Sequence, residues 1–195
     1  MKCRLYRILR PIAVFLLKVL YRIKIENKDN IPDGPFIFAG NHKHNYDFIS
    51  LISGTKRTIH FLAKKELMDK HGWLFGRLGI IPVDRSTKNK EAILEAINML
   101  KNGEIVAIFP EGTFNKTEYV IKPFKYGAVK IASEVDVPIV PFAITGEYKI
   151  FRKGLKITYG KPYYVKDKRD LTKENIKLMN KVIRLLREKD ERAKK

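Results

Sequence analysis

The chain has 195 residues, 45% of them hydrophobic and 31% charged, which suits one globular domain with a real core and excludes an intrinsically disordered chain. Lys and Arg number 40 against 21 Asp and Glu, a formal net charge of +19, so the natural partner is anionic: a phosphorylated substrate, lipid head groups, nucleic acid or an acidic protein. The single cysteine, Cys3, excludes an internal disulfide and fits a reducing compartment.

Residues 1–25 contain no acid and carry Lys2, Arg4, Arg7, Arg10, Lys18, Arg22 and Lys24 among apolar residues such as Ile12, Phe15, Leu16 and Val19. The longest uncharged stretch, residues 11–17, is far short of the roughly 20 residues that span a bilayer. Lys18 interrupts the apolar region and no A-x-A-like cleavage site follows, so a signal peptide is a poor fit. At about 100° per residue Arg4, Arg7, Lys18 and Arg22 share one narrow helical stripe. A basic stripe with a broad apolar face is the pattern of a helix lying in a membrane interface. Pro11 divides or kinks it. Residues 1–24 are therefore expected to form one or two interfacial helices, and residues 25–195 the main domain.

Beyond that segment short apolar runs alternate with helical patterns. Strands are predicted over 22–26, 35–39, 58–63, 80–83, 105–109, 138–144 and 155–159. Helices are predicted over 47–53, near 73–78, and over 88–101, 125–134 and 173–189. In the helix over 88–101, Ile93, Ile97 and Leu100 form the core stripe; in the last, Ile176, Met179, Ile183 and Leu186 do. The alternation predicts a single α/β domain: a largely parallel or mixed sheet of about seven strands, flanked by helices. In such sheets ligands bind beyond the carboxyl ends of the strands, and several of the four motifs below sit at such ends.

The first is Gly40-Asn41-His42-Lys43-His44-Asn45-Tyr46-Asp47. Gly40 permits a sharp turn after the strand, and Asn45 is placed to cap the next helix, with Asp47 in its first turn. His42 and Asp47 would not meet on a continuous helix, but they can meet across a strand–helix junction. A carboxylate on one ring nitrogen then leaves the other free as a base. Taken alone the stretch reads first as a helix-capping turn with a solvent-exposed histidine. The second motif, Gly79 to Arg85, ends a strand in Asp84-Arg85, where an arginine can hold a phosphate through a two-pronged hydrogen bond. The third is Phe109-Pro110-Glu111-Gly112-Thr113, whose glycine allows close backbone approach to a ligand while Glu111 and Thr113 offer hydrogen bonds. The fourth, Val137-Pro138-Ile139-Val140-Pro141, reads alone as a strand with prolines at its margins.

In this order, the blocks N-H-x4-D, G-x-I-x-V-D-R, F-P-E-G-T and V-P-I-V-P resemble the glycerolipid acyltransferase family, in particular its bacterial 1-acylglycerol-3-phosphate acyltransferases. Together they cover residues 41–141. Ala63-Lys64-Lys65-Glu66-Leu67, Phe124 to Ala128 and Tyr159 to Pro162 are similar to further features of the family. The resemblance implies transfer of a fatty acyl group from a thioester, acyl-CoA or acyl carrier protein as co-substrate, to the sn-2 hydroxyl of lysophosphatidic acid. In that reading His42 is the base and Asp47 orients it. Arg85, with Lys64 or Lys65, holds the phosphate, while Glu111, Gly112 and Thr113 shape the glycerol-phosphate site. It also implies a peripheral protein on an anionic membrane surface, at the cytoplasmic face of the cell membrane, engaged in phospholipid biosynthesis.

Two positions depart from the family pattern. His44 stands where Ser or Thr is frequent, and Phe114-Asn115 stand where F-P-E-G-T usually continues Arg-Ser, which removes one cation. A related transferase with glycerol 3-phosphate or another lysophospholipid as acceptor stays open on that account, as does a lipid-binding or thioester-hydrolysing relative. Nucleic acid is not an expected partner, since no RNA or DNA module accompanies the charge. No serine lies in G-x-S-x-G, so direct transfer without an acyl-enzyme is expected. The four histidines are not joined by metal-ligand spacing, and neither a metal nor a cofactor is expected.

Overall fold

Apolar runs in the chain pair into one sheet whose strands are all short and, at the centre, apolar on both faces. The computed structural model describes residues 3–84 and 90–192. Seven strands, β1 (Lys24–Glu26), β2 (Phe36–Gly40), β3 (Ile59–Lys64), β4 (Ile81–Val83), β5 (Ile105–Ile108), β6 (Ile139–Thr145) and β7 (Lys156–Tyr159), lie in the order β1-β7-β6-β2-β5-β3-β4. The five from β6 to β4 are mutually parallel; β7 is antiparallel to β6, and β1 parallel to β7. All seven predicted strands are present, and the sheet is mixed only at this one edge.

Among the described residues six α-helices cover it: α1 (Arg4–Tyr21), α2 (Asp47–Ile52), α3 (Glu66–Leu78), α4 (Lys90–Lys101), α5 (Gly127–Val135) and α6 (Leu171–Arg192). Alternation along the strands sends Ile37, Ala39, Val106, Ile108 and Ile139 toward α4, α5 and α6. It sends Phe36, Phe38, Ala107, Val140 and Phe142 toward α1 and α2. Two-faced burial is why β2, β5 and β6 read as unbroken apolar runs rather than alternating ones. Phe36, Phe38, Phe142 and Tyr159 are fully buried, each contributing roughly 1.5–3 kcal/mol relative to exposure.

Of the one or two helices expected at the start of the chain, α1 is one, continuous with Pro11 inside it. Two other helices differ from the sequence expectation. α3 is much longer than the segment near 73–78. In α6 the core side is carried by Leu178, Val182 and Leu185, while Ile176 is exposed. Met179, Ile183 and Leu186 of the assigned stripe pack partly buried against the core, and Ile176, two residues or about 200° around the helix from Leu178, falls off it.

Candidate active site

The site is built at the carboxyl ends of β2, β5 and β6. β2 can approach β6 closely because residue 40 is glycine: a Cβ there would lie 2.3 Å from the Phe142 carbonyl oxygen. Asn41 then staples the two strand ends together. Its Nδ2 donates to the Ile144 carbonyl at 2.9 Å and its Oδ1 accepts the Ile144 N–H at 2.7 Å. The chain leaving this staple carries His42 into the turn before α2.

His42 Nδ1 lies 2.9 Å from Asp47 Oδ2. Asp47 is fully buried in the first turn of α2. Its Oδ2 also accepts the N–H groups of Lys43 at 2.6 Å and His44 at 2.8 Å. Residue 46 occupies the cap position of α2 without a side-chain cap, so Asn45 does not play the capping role expected of it. Asp47 instead folds its carboxylate back on the N–H groups of the preceding turn. The arrangement commits His42 Nδ1 to the carboxylate and leaves Nε2 free. With 19% of its side chain exposed, His42 can meet a substrate from a largely enclosed position. Its ring stacks on Phe109 at 4.0 Å between centroids and meets the edge of Phe114 at 4.4 Å. The His44 ring lacks such a carboxylate: its Nδ1 accepts the Tyr46 N–H and the ring stacks on Tyr148.

Glu111 is buried and makes both its bonds to the main chain. Oε1 accepts the N–H of His42 and Oε2 that of Lys122, each at 2.8 Å. Burial pushes its carboxyl up from the ordinary value, while the backbone N–H groups of Lys122 and His42 favour the charged form. Glu111 therefore reaches the reacting centre through His42's backbone. Gly112 has φ +70°, and a Cβ there would sit 3.1 Å from Lys125 Cε; the Lys125 chain lies over this turn. Thr113 is exposed.

Phe114 and Asn115, which sequence alone records as a lost cation, are structural parts of the site. Phe114 walls the His42 ring, and the Asn115 N–H donates to the His42 carbonyl at 2.8 Å. A cavity of about 320 Å³ opens beside His42, lined among others by Lys43, Asn115, Thr117 and Thr145. Lys64 is exposed at the end of β3, and Lys65 Nζ lies 3.6 Å from Asp84 Oδ2 at the end of β4. β3 is two strands and β4 three strands from β2, about 10 and 14 Å along the same edge. Arg85 lies outside the described residues. The first three sequence blocks thus follow the carboxyl ends of β2, β4 and β5 along one edge of the sheet, while the fourth leads into and begins β6 at the opposite edge.

A His–Asp pair at the carboxyl end of a central strand puts a candidate general base where such sheets bind ligands, an arrangement suited to proton abstraction in group transfer. The family model for acyltransferases matches residues 22–145, and the chain belongs to that family. It is 36% identical over 170 residues to the 1-acyl-sn-glycerol-3-phosphate acyltransferase of Bacillus subtilis, an alignment covering 83% of this chain and 84% of that protein. It is 32% identical over 153 residues to the probable 1-acyl-sn-glycerol-3-phosphate acyltransferase of Mycoplasma pneumoniae, covering 73% of this chain and 56% of that longer one. The fold matches the crystal structure of the 1-acyl-sn-glycerophosphate (LPA) acyltransferase PlsC from Thermotoga maritima with a TM-score of 0.75 at 23% identity, over 95% of this chain and 79% of that one.

Proposed function

We propose that this chain transfers a fatty acyl group from a thioester to the sn-2 hydroxyl of lysophosphatidic acid, forming phosphatidic acid. The observation that carries the chemistry is the His42–Asp47 pair, with Nδ1 bound to the carboxylate at 2.9 Å and Nε2 left free. His42 Nε2 takes the hydroxyl proton as the alcohol oxygen attacks the thioester carbonyl. Asp47 keeps the ring in the required tautomer and stabilises the imidazolium, which then gives the proton to the departing thiolate. No acyl-enzyme is needed. Ser50 and Ser53, the serines nearest the pair in sequence, direct their hydroxyls to Tyr148 and to the Ser50 carbonyl. Arg85, with Lys64 or Lys65, is assigned to the acceptor phosphate, which suits the basic charge of the chain.

We place the enzyme peripherally on the cytoplasmic face of the cell membrane. Both acceptor and product are lipids. Among the described residues no helix is long and apolar enough to cross a bilayer, and α1 turns Ile8, Ile12, Phe15, Leu16 and Val19 outward. The acyl donor is acyl-CoA or acyl carrier protein. The deciding experiment is a panel: purified protein, both donors, and lysophosphatidic acid, glycerol 3-phosphate and other lysophospholipids as acceptors, with products identified by mass. Phosphatidic acid should dominate. Preferred acylation of glycerol 3-phosphate, or thioester hydrolysis that ignores the acceptor, would overturn the assignment.

A further inference from the structure

Tyr148 stands beyond the segment matched by the family model and outside the four sequence blocks, yet its hydroxyl donates to Asp47 Oδ1 at 2.8 Å. The other carboxylate oxygen carries His42 and two backbone N–H groups. A carboxylate held through Oδ2 alone can rotate about its Cβ–Cγ bond. A donor on Oδ1 fixes the plane, and with it the line from Oδ2 to His42 Nδ1. The phenol has one proton and gives it to Asp47, so Ser50 Oγ, 2.8 Å from the same hydroxyl, donates to Tyr148. Burial pushes the Tyr148 hydroxyl far above the ordinary tyrosine value, reinforced by the Asp47 charge beside it, and it stays a donor at any working pH.

The loop carrying Tyr148 is pinned on both sides. Gly146 has φ +81°, and a Cβ there would lie 1.8 Å from the Gly154 carbonyl oxygen, so the loop is pinched shut at its base. Lys43 Nζ donates to the Gly146 carbonyl. The Phe151 N–H donates to the Leu20 carbonyl, at 2.5 Å, in the last turn of α1. Tyr21, the last residue of α1, sets its ring edge-on to Tyr148 at 5.6 Å. Tyr46 and His44 close the other sides at 5.8 and 4.5 Å.

We propose that Tyr148 is a positioning residue that fixes the Asp47 carboxylate for His42, and that the carboxyl end of α1 holds Tyr148 in place. The proposal rests on the reading of His42 as the base. It means that α1 serves the chemistry as well as any membrane contact, so damage at Tyr21 reaches the reaction even when no membrane is present.

The test uses the full chain and a short-chain lysophosphatidic acid below its micellar concentration, so that membrane binding does not enter. Tyr148→Phe should lower kcat about tenfold, the order set by losing one hydrogen bond to a charged group, with KM for the acceptor unchanged. The acid limb of kcat/KM should move to higher pH, because an Asp47 relieved of one donor holds the imidazolium more strongly. A loss of packing alone would not move that limb. Tyr21→Ala should lower kcat on the same soluble substrate. Wild-type kcat and an unmoved limb in Tyr148→Phe, or a change confined to KM, would overturn the proposal. His42→Ala, run alongside, separates the two readings: if it keeps activity the base assignment falls, whereas an inactive His42→Ala beside a wild-type-like Tyr148→Phe sinks only the role of Tyr148.

Discussion

Two histidines stand two positions apart at the end of β2, and one carboxylate separates their roles. His42 meets Asp47 through Nδ1, whereas the His44 ring meets a backbone N–H and a tyrosine face. His42→Ala should therefore abolish transfer while phospholipid binding and the thermal transition persist. A positioned base contributes typically about 10²–10⁴-fold. His44→Ala should be milder, and an inactive His44 variant beside an active His42 variant would reverse the assignment. Glu111 allows a subtler experiment. Glu111→Gln keeps the shape but supplies only one acceptor oxygen where two N–H groups point, those of His42 and Lys122. One buried N–H then faces an amide NH₂ and is left unpaired, which costs about 1–3 kcal/mol. Thermal melting should show that loss, and kcat should fall with it because His42's own backbone is one of the two donors. Unchanged melting would show that the Glu111 bonds contribute little.

At the scale of elements, the strands were readable because burial on both faces writes them as apolar runs such as Phe36 to Ala39 and Ile105 to Ile108. Direction is a different matter. An apolar run carries no arrow, and the reversal of β7 against β6 is set by the loop from Gly146 to Gly154, whose sequence has no helix or strand period. The same loop hides Tyr148, which is why the pair His42–Asp47 could be read from H-x4-D and its third member could not. Phe114 and Asn115 were legible only as a deviation, since an aromatic wall and a backbone bond leave no mark in residue type. α3 was read too short because its first half, Glu66 to Gly72, is mostly polar and ends in glycine, which weakens the periodic signal. The reversed edge also carries a charge cluster. Burial raises the Glu26 carboxyl, but hydrogen bonds from Lys24 and Lys156 outweigh that and bring its pKa down to about 2. A carboxylate depressed in the folded state stabilises the fold above its unfolded value, and that contribution is lost as pH falls through the folded one. Lys156→Met should thus destabilise the protein at pH 7, and the gap from wild type should narrow between about pH 4.5 and 2 in denaturant titrations. A gap independent of pH would assign the effect of Lys156 to packing rather than charge.

For the whole molecule, α1 shows the largest conflict between sequence and simple burial. Its inner side places Tyr6, Val14 and Leu17 in the core against α2 and α3, while Ile8, Ile12, Phe15, Leu16 and Val19 remain outside, Phe15 at 64% exposure. Arg4, Arg7, Lys18 and Arg22 are exposed along one border of that outer face. A row of large apolar residues facing outward beside a basic border is the surface an anionic bilayer would cover, each basic residue near the lipid adding about 1 kcal/mol. Deleting α1 is a blunt way to ask, since it also removes Tyr6, Val14 and Leu17 from the core. Ile12→Ser together with Phe15→Ser changes only the outer side and should leave melting near that of the wild type. Intact protein should sediment with vesicles containing anionic lipid, less in high salt but still measurably, because screening weakens the charges and not the apolar burial. The double variant should lose most of that salt-resistant part and most of its activity on bilayer-presented substrate, while keeping its activity on a short-chain soluble acceptor, where the Tyr21–Tyr148 contact is intact. A double variant that sediments as the wild type does in high salt would place the membrane contact on another face.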